Sequence, residues 1–387
     1  MKRFALFFIR HPFSQVHLKK DVGLFPIYFS NIFEKVELLK IGKEKKDSIE
    51  YKNIIIKDLF RWKKMYSNDW ESSKIYEVFC IIMSFFYLVR NRDISHIMLF
   101  HINRYSVYFS WLVKKIFPKT KVYIKIDGSK YTVDGLLSKD GLSLKRKCFL
   151  SKLREVDLIS IETKYLFSEL LTSVYFHDNL SLVPNGIERK RNILMPKEKI
   201  MITVARLGTY QKNTEFLLRC FEQIDLQDWK VYLIGSIDEP FKATVENFYE
   251  RRFDLRQSVI FMGEIQDSVL LEEYYSKSSV FLLPSRFESF GIAALEAIAC
   301  GNYLIMSDVG AAKDLILNDG YGHILKESKE GSQNEEIMMQ DCVSVLKNIV
   351  DGKVNIYENL EERIAYFNEH FTMENIIKQQ CFQEWIG

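Results

Sequence analysis

The sequence predicts an α/β protein built from two doubly wound domains. Its 387 residues exceed what one ordinary hydrophobic core organises, so at least two domains are expected. In the second half of the chain, apolar runs of strand length alternate with helical patterns, and the connections between them are short. This alternation predicts a parallel sheet covered by helices on both faces. The right-handed crossover rule then makes the domain doubly wound.

The second half gives the clearer pattern of elements. Its strand candidates are Lys199–Ala205, Trp229–Ile234, Val259–Met262, Val280–Leu283 and Tyr303–Met306. Its helix candidates are Thr214–Ile224, Phe241–Phe253, Ser268–Ser276, Gly291–Ala299 and Ala311–Leu317. Asn213 precedes the first of these helices and is expected to cap it.

The first half repeats the alternation less regularly. Its strand candidates are Phe4–Ile9, Lys35–Leu39, Asn53–Ile56, Ile94–Phe100, Val122–Ile126 and Leu158–Ile161. Ser106–Ile116 is a predicted helix, closed by Pro118. Val78–Val89 is the most apolar stretch, but it is too short to span a membrane and is expected to form a buried helix.

A turn and a polar run mark the domain boundary. Pro184-Asn185-Gly186 is a strong turn signal, and the polar run Glu188–Lys199 follows it. We therefore predict a first domain over 1–190 and a second over 191–365. Residues 366–387 are expected to form a C-terminal helix that packs on the first domain. The final segment, Leu360–Trp385, is expected to form one or two amphipathic helices.

Charge and cysteine content narrow the function classes. Residues 1–190 carry 34 basic and 20 acidic side chains, whereas the remainder carries 20 and 31. A basic half can face phosphate, nucleic acid or an anionic membrane, but no nucleic-acid module is recognisable, so nucleic acid is not an expected partner. Six scattered cysteines without C-x-x-C spacing argue against a zinc site or a disulfide framework and favour a reducing, cytoplasmic location. The apolar run Phe4–Ile9 is too short for a convincing signal peptide.

A candidate ligand site follows one of the predicted strands. The segment Pro284–Ala297 reads Pro-Ser-Arg-Phe-Glu-Ser-Phe-Gly-Ile-Ala-Ala-Leu-Glu-Ala, and a helix begins near Gly291. In an open parallel sheet, ligands bind beyond the carboxyl ends of the strands, and the free amides of a helix start suit a phosphate. Gly291 lets a phosphate approach the backbone because it has no Cβ. Ser289 is expected to cap the helix.

The two glutamates of this segment differ in position. Glu288 lies on the loop, at the mouth of the expected crevice. Glu296 lies on the first or second turn of a helix so apolar that it is expected to be buried nearly all round. A lone carboxylate there is costly unless it is hydrogen-bonded. Ribose hydroxyls satisfy that need, and so does an Arg or Lys from a neighbouring helix, so the spacing leaves both interpretations open.

The segment resembles the E-x7-E signature of family 4 (group 1) retaining glycosyltransferases of the bacterial cell-surface polysaccharide type, which have the GT-B fold. The similarity extends to Val259–Gly263 before the segment and to Gly301–Asp308 after it. It is strong in the second half of the chain and diffuse in the first. The resemblance implies two Rossmann-like domains that face each other across a cleft, with C-terminal helices crossing back to the first domain.

The resemblance also assigns roles at the donor site. In the family, the first glutamate contacts the donor sugar near the reacting carbon and the second binds the nucleotide ribose, which corresponds to Glu288 and Glu296. The backbone that follows the first glutamate contacts sugar hydroxyls and phosphate. The further residues expected to bind the donor are Ser289, Phe290, Gly291, Ile292 and Ile265.

Two cations follow the first strand of the second domain. Arg206 and Lys212 precede a helix, where Arg offers a planar fork and Lys a point charge for a diphosphate. A solvated basic loop is the alternative. The resemblance favours the diphosphate, because the family carries an Arg…Lys pair here. Asn213 is a departure, since the family usually has Gly after the lysine.

The first domain offers less specific candidates. Asp127 follows the strand Val122–Ile126, where family members place a His or Asp close to the acceptor. It is expected to orient the acceptor or to assist proton removal, although an Asx turn before Gly128 explains it equally well. His101 follows the preceding strand and is a weaker candidate, with a structural role as the alternative.

The loop after the first strand departs from the family pattern. Family members often carry a glycine-rich loop here, near the donor phosphates, whereas this loop, Arg10–Gly23, has one glycine. His17, Lys19 and Lys20 can meet an anionic ligand or simply cover a helix surface, and both interpretations stay open.

The resemblance implies transfer of a sugar from a nucleoside-diphosphate sugar to an acceptor hydroxyl, with retained anomeric configuration. A UDP-sugar is the expected donor. No Asp-x-Asp motif sits at a strand end, so neither a metal nor another cofactor is expected. The basic first half fits a lipid-linked or oligosaccharide acceptor of surface-polysaccharide synthesis at the inner face of the cell membrane. The membrane-docking candidates are Arg61, Lys63 and Lys64 around Trp62, and a second basic group among the apolar residues of Leu142–Leu153. The second group consists of Lys145, Arg146, Lys147, Lys152 and Arg154.

Two rival functions remain on the same fold. One is a nonhydrolysing sugar-nucleotide epimerase. The other is a catalytically silent partner protein, a class that tends to lose the glutamate pair or the Arg/Lys pair, both of which are present here.

Overall fold

The computed structural model describes residues 2–9, 12–42, 48–61, 74–137, 143–176, 178–188 and 195–387. The chain divides into two compact units. The first comprises Met1–Glu188 and Thr372–Gly387, and the second comprises Arg189–Phe371. Each unit is built around a largely parallel sheet, which confirms the α/β class predicted from the alternation of strands and helices.

The first unit contains an eight-stranded sheet among its described residues. Its strands are β1 (Arg3–Phe8), β2 (Lys35–Gly42), β3 (Ile49–Tyr51), β4 (Ile54–Arg61), β5 (Ile94–Phe100), β6 (Lys121–Lys125), β7 (Leu158–Ile161) and β8 (Leu180–Leu182). They lie in the order β3-β4-β2-β1-β5-β6-β7-β8. Every pair is parallel except β3 and β4, which are antiparallel. Lys52 and Asn53 between those two strands both have positive φ, as a tight two-residue hairpin turn requires.

Among the described residues, six α-helices accompany this sheet before the chain enters the second unit. They are α1 (Asp21–Phe29), α2 (Lys74–Arg90), α3 (Arg104–Ile116), α4 (Lys130–Leu137), α5 (Leu144–Ser151) and α6 (Lys164–Leu171). Helix α3 begins earlier than the sequence predicts, because the Asn103 side chain accepts a hydrogen bond from the Ser106 amide and caps it.

Helix α2 corrects one prediction. The stretch Val78–Val89 was expected to be buried, yet α2 exposes an apolar stripe at the spacing of one helix face. The stripe consists of Ile75, Val78, Ile82 and Phe86, which are 80%, 54%, 44% and 53% exposed. The buried residues of α2 are Tyr76, Glu77, Cys80, Ser84 and Leu88, so the helix buries two polar side chains while it exposes this apolar stripe. None of the described helices is both long and apolar enough to cross a membrane.

The second unit contains a six-stranded parallel sheet among its described residues. Its strands are β9 (Glu198–Val204), β10 (Lys230–Ile234), β11 (Val259–Gly263), β12 (Ser278–Leu283), β13 (Tyr303–Met306) and β14 (Gly322–Ile324). They lie in the order β11-β10-β9-β12-β13-β14. This is the doubly wound order in which the direction of winding reverses between the first and fourth strands, here β9 and β12. Ligands of such sheets bind at that point, beyond the carboxyl ends of the strands.

Seven α-helices accompany the second sheet in the part of the unit that the structure describes. They are α7 (Thr214–Phe221), α8 (Phe241–Arg251), α9 (Ser268–Lys277), α10 (Ile292–Ala299), α11 (Ala312–Leu315), α12 (Glu335–Val350) and α13 (Leu360–His370). Asn213 occupies the N-cap position of α7, but its side chain makes no capping hydrogen bond. The capping role expected for Asn213 is therefore wrong, and its backbone conformation supplies a different reason for its presence.

The C-terminal residues complete the core of the first unit. Two further helices, α14 (Met373–Ile376) and α15 (Gln380–Ile386), follow α13, so the segment expected to hold one or two helices holds three. The rings of Phe382 and Phe25 lie 5.7 Å apart, and those of Trp385 and Phe29 lie 5.8 Å apart. The buried imidazole of His96 contacts the Trp385 carbonyl oxygen at 3.2 Å. Aromatic packing thus holds the chain end against β1, β5 and α1.

Candidate active site

Two loops of the second unit meet where its winding reverses. The β9 loop (205–213) connects β9 to α7, and the β12 loop (284–291) connects β12 to α10. Because β9 and β12 are hydrogen-bonded parallel neighbours, both loops leave the same edge of the sheet side by side. The sequence-predicted donor residues are divided mainly between these two loops.

Gln211 ties the two loops together. Its side-chain Nε2 donates to the Phe287 carbonyl at 3.1 Å, and its own carbonyl accepts from the Arg286 amide at 2.8 Å. Arg286 donates from Nη1 to the Tyr210 carbonyl at 2.9 Å, and its guanidinium lies 4.5 Å from the centre of the Tyr210 ring. Sequence reasoning missed Gln211, although its position directly before Lys212 was a usable signal.

Lys212 and Glu288 form an ion pair across the loops. Lys212 Nζ lies 2.5 Å from Glu288 Oε1, and the two side chains are only 16% and 7% exposed. A carboxylate buried to this degree is costly without a partner, and Lys212 provides one. The structure therefore brings together one residue from each of the two sequence motifs.

Arg206 lies on the exposed side of the same loop. Its Nη2 donates to Gln211 Oε1 at 3.1 Å, so both Arg206 and the β12 loop are held by one glutamine side chain. The guanidinium remains largely in solvent. Arg206 and Lys212 thus present one exposed and one buried cation from a single loop.

Asn213 keeps the loop geometry that glycine usually provides. Its φ and ψ are 52° and 38°, in the left-handed region. Asn is one of the few residues besides glycine that adopts this conformation readily. The departure from the family's glycine is therefore compatible with the backbone that positions Lys212.

Gly291 begins helix α10. It occupies the N-cap position with φ 97° and ψ 60°, a conformation in which other residues are strained. Ser289 was expected to cap this helix, and that expectation is wrong because Gly291 takes the position. The amides of Ile292 and Ala293 are in the first turn, so the helix itself gives them no acceptor.

Gly310 brings a third loop against this site. A Cβ at Gly310 would lie 2.6 Å from the Phe290 carbonyl oxygen and 2.8 Å from Glu288 Cβ, and its φ is +56°. The Ala311 amide donates to the same Phe290 carbonyl at 2.9 Å. The loop after β13 therefore packs directly beneath Glu288 and Phe290 and fixes their backbone.

Glu296 lies on the open face of α10. Glu296, Ile292 and Ala293 share this half-buried face, whereas the other five residues of the helix are buried. The expectation of a helix buried nearly all round is therefore wrong on one side. The hydroxyl of buried Tyr275 donates to Glu296 Oε2 at 3.1 Å, and burial raises the pKa of this tyrosine well above its usual value, with Glu296 raising it further.

Ile265 lies apart from the two loops, after β11. It is half-buried and precedes α9. Gly263 before it has φ +70° and its carbonyl accepts from the Gly235 amide at 2.8 Å. Ile265 thus also follows the carboxyl end of a strand in the second sheet.

The first unit places Asp127 and His101 after neighbouring strands. Asp127 is exposed, and its carbonyl oxygen lies 3.2 Å from His101 Nδ1. His101 has a left-handed backbone (φ 61°), and its amide donates to the Lys125 carbonyl at 2.8 Å. The Gly128 amide donates to Glu162 Oε1 at 3.0 Å. An aromatic-rich pocket beside His101 is lined by Phe7, Phe8, Ile9, Phe100, His101, Asn103 and Tyr105.

The loop after β1 contains an aromatic packing contact as well as exposed lysines. Residues Gln15–Lys19 form a short 3-10 helix, in which His17 stacks on Phe13 with ring centres 5.7 Å apart. Lys19 and Lys20 are exposed. The one glycine, Gly23, lies in α1, where a Cβ would come within 2.3 Å of Leu18 Cα. Gly23 is thus required for this close approach. Across the described residues, no group of three His, Cys, Asp or Glu side chains is arranged to hold a metal.

Comparison with known proteins places this geometry in context. Residues 198–348 match the family model described as glycosyl transferases group 1. An uncharacterised glycosyltransferase of Methanocaldococcus jannaschii is 28% identical over 207 residues, covering 49% of this chain and 51% of that protein. The amylovoran biosynthesis glycosyltransferase AmsD of Erwinia amylovora is 28% identical over 185 residues, covering 46% and 50%. The chain thus spans about half the length of these curated relatives.

Solved structures resemble nearly the whole chain. Sucrose-phosphate synthase from Thermosynechococcus elongatus matches with a TM-score of 0.73 at 17% identity, covering 99% of both chains. The lipopolysaccharide outer core galactosyltransferase WaaB matches with a TM-score of 0.70 at 17% identity, covering 100% of this chain and 99% of that one. The resemblance predicted from the E-x7-E segment is confirmed. The chain has the GT-B fold, and residues 198–348 of its second unit match the model of the group 1 glycosyltransferases.

Proposed function

We propose that this protein is a retaining glycosyltransferase that moves a sugar from a nucleoside-diphosphate sugar to an acceptor hydroxyl. The observation that carries the proposal is the Lys212–Glu288 ion pair, which joins the two loops beside the start of α10. A cation, a carboxylate and free helix amides then lie at the strand edge where doubly wound sheets bind nucleotides.

The donor site follows from the residues around this pair. Glu288 contacts the donor sugar near its reacting carbon, and Glu296 accepts hydrogen bonds from the ribose hydroxyls. The open face of α10 supports this role for Glu296, because a ligand can reach the carboxylate there. The remaining donor contacts are assigned to the backbone of Ser289, Phe290, Gly291 and Ile292 and to Ile265.

Stabilisation of the leaving group explains why two cations are present. Negative charge builds on the diphosphate as the glycosidic bond to phosphate breaks. Arg206, Lys212 and the amides at the start of α10 act on that charge, and fixed charges in a poorly hydrated site are effective at this task. We propose that these groups suffice, with no metal and no other cofactor.

UDP is the proposed nucleotide of the donor. Two structural neighbours support it: Anabaena HepE, solved in complex with UDP, matches with a TM-score of 0.68 at 12% identity. The pneumococcal O-GlcNAc transferase GtfA, solved in complex with UDP and GlcNAc, matches with a TM-score of 0.58 at 14% identity.

The acceptor is assigned to the first unit. Asp127 orients the acceptor hydroxyl, and the aromatic-rich pocket beside His101 offers ring faces of the kind on which sugars stack. A lipid-linked glycan of surface-polysaccharide synthesis is the proposed acceptor class. The amylovoran relative and the lipopolysaccharide neighbour, which act in such pathways by name, support this class.

Docking on the inner face of the cell membrane completes the proposal. Lys152 lies 5.8 Å and 5.4 Å from the centres of the Tyr108 and Trp111 rings, and Arg146 lies 5.2 Å from that of Phe149. Cations among aromatic rings suit an anionic interface, and the outward apolar stripe of α2 adds a surface that can enter the lipid boundary. Of the earlier candidates, residues 62–64 lie outside the described residues, and Arg61 ends β4 in an exposed position.

A nucleotide screen tests the proposal. UDP or a UDP-sugar should raise the melting temperature of the purified protein in proportion to the logarithm of its concentration above Kd. UDP should then be released only when an acceptor is present. Interconversion of sugar nucleotides without an acceptor would identify an epimerase, and binding without any turnover would favour a silent partner protein.

A further inference from the structure

A buried charge cluster lies in the first unit, at the carboxyl ends of β6 and β7. Lys125, Asp21 and Glu162 are 0%, 6% and 1% exposed. Lys125 Nζ lies 3.1 Å from Asp21 Oδ2 and donates to the Val183 carbonyl at 3.3 Å. The three side chains come from the end of β6, the start of α1 and the residue after β7.

The cluster has one cation for two carboxyl groups. Burying an uncompensated charge is costly, and Lys125 compensates one carboxylate through its pair with Asp21. The other carboxyl is neutral if it keeps its proton. Burial raises the pKa of Glu162 well above its ordinary value of 4.5, opposed by Lys125 and reinforced by the nearby Asp127. Burial also raises the pKa of Asp21, opposed by Lys125. Because Lys125 forms its ion pair with Asp21, we assign the retained proton to Glu162.

Glu162 holds the loop that carries Asp127. Its Oε1 accepts from the Gly128 amide at 3.0 Å. Its buried Oε2 has no donor as a partner among the described residues, and the Asp127 side chain neighbours the same carboxyl group. In the protonated form, one oxygen of Glu162 accepts from Gly128 while the other donates its proton to Asp127. Both contacts are satisfied only by a neutral acid, because a carboxylate has no proton to donate.

We propose that Glu162 is a positioning residue that fixes Asp127 by sharing a proton with it, and that it thereby sets how the acceptor hydroxyl is held. The proposal rests on the acceptor role of Asp127 in the proposed function. Held in this way, the Asp127 carboxylate is positioned to accept a hydrogen bond from the acceptor hydroxyl. Asp127 itself is exposed, as contact with an acceptor requires.

The kinetic test compares two substitutions at Glu162. In Glu162→Gln, the amide oxygen can accept from Gly128 and the amide nitrogen can donate to Asp127, so kcat should stay within roughly 3-fold of wild type. In Glu162→Ala both contacts are lost, and we expect kcat to fall roughly 10-fold or more, because a misplaced group loses most of the advantage of orientation. The KM for the donor should stay unchanged in both. Equal losses in Gln and Ala variants would overturn the proposal.

A titration of stability tests the shared proton without any turnover. Glu162 keeps its proton at pH values where the unfolded chain has lost it, so its contribution to stability falls as pH rises above about 4.5 toward its raised pKa. The melting temperature of wild type should therefore fall relative to Glu162→Gln across that window. Asp127→Asn should narrow the pH range over which the melting temperature falls, because the Asp127 charge raises the pKa of Glu162. The other ionisable groups that face Glu162 are Lys125, Asp21 and Tyr123.

Controls separate this proposal from the proposed function. Asp134→Asn removes an exposed carboxylate on α4 and should change neither kcat nor the pH window. If wild type transfers no sugar, the proposed function fails, but the titration still decides whether Glu162 and Asp127 share a proton. Independent, additive effects of Glu162→Gln and Asp127→Asn on the pH window would show that they do not.

Discussion

Both units place charged side chains near the carboxyl ends of their parallel strands, but the ratio of basic to acidic groups differs between them. In the second unit, Lys212 and Glu288 form a one-to-one pair at the edge of the sheet, 16% and 7% exposed. In the first unit, Lys125 is completely buried and faces two buried carboxyl groups, Asp21 and Glu162. One cation beside one carboxylate is neutral without a bound proton. One cation beside two buried carboxyl groups is neutral only when one of the carboxyl groups keeps its proton.

This difference predicts how each site responds to substitution and to pH. The Lys212–Glu288 pair sits on loops that a ligand can reach, so replacing either residue should affect turnover. The cluster around Lys125 lies beneath its loop, so replacing a member should act through Asp127 and through stability. The variants below are ordered by the size of the effect that this comparison predicts.

The largest effect is expected at the Lys212–Glu288 pair. Glu288→Gln and Lys212→Ala should each lower kcat for sugar transfer by about 100-fold, in the range seen when one group that stabilises transition-state charge is removed. The double variant should lose little more than either single one, since the two side chains act as a unit. Steady-state UDP release measures this, with circular dichroism to check the fold.

Lys242→Ala is the matched control for that pair. Lys242 pairs with Glu239 on the surface of the same unit, and the two side chains are 59% and 82% exposed. Exposed pairs contribute little, so this variant should keep wild-type turnover. A near-normal kcat in both Glu288→Gln and Lys212→Ala would show that neither residue takes part in the reaction.

The second-largest effect is expected at the apolar stripe of α2, a feature of the first unit. Ile82→Glu combined with Phe86→Glu should weaken binding to anionic vesicles at low salt by roughly 10-fold, because two apolar side chains are withdrawn from the lipid boundary and two negative charges are added. UDP binding should be unchanged. Vesicle co-sedimentation provides the measurement.

Phe253→Glu controls for the charge added to α2. Phe253 is 75% exposed and belongs to the second unit, so the substitution replaces one exposed apolar side chain by one negative charge, half the change made in α2, on the other unit. It should leave vesicle binding at the wild-type level. A loss equal to that of the α2 variant would show that net charge, and not the stripe, governs binding.

A smaller effect is expected at Gln211, which joins the two loops of the proposed donor site. Gln211→Ala removes the hydrogen bonds to Phe287 and Arg206 but keeps the backbone contact to Arg286. Two lost hydrogen bonds of ordinary strength should weaken UDP binding by roughly 5- to 10-fold. Isothermal titration measures the change, and Gln223→Ala, an exposed glutamine on the same unit, should leave Kd unaltered.

The sequence predicted the second unit far better than the first, for a physical reason. Parallel strands buried on both faces read as continuous apolar runs, so five of the six strands in the second sheet were located to within a residue or two. The short strand β14 escaped prediction, because a three-residue strand leaves almost no pattern. The helix α12 was also not predicted. In the first unit, α2 was misjudged because its composition is apolar all round, and composition does not show which face meets the sheet.

The candidate site was only partly predictable, because contacts between loops carry no local pattern. Glu288, Lys212 and Gly291 follow strand ends, and that position is visible in sequence. The pairing of Lys212 with Glu288, and of Glu296 with Tyr275, depends on which strands become neighbours. Glu162 was missed for the same reason: a glutamate after a strand is unremarkable until the chain folds and places Gly128 and Lys125 against it.

The smallest effect is expected at Asn213, where the loop geometry itself is tested. Its left-handed backbone predicts that Asn213→Gly, which restores the residue usual in the family, changes stability by less than about 1 kcal/mol and leaves turnover intact. Asn213→Ala should cost roughly 1 kcal/mol, because a Cβ without a compensating polar group strains this conformation. Chemical denaturation with UDP-release kinetics separates the two outcomes. If alanine were tolerated as well as glycine, the left-handed turn would not be what positions Lys212 against Glu288.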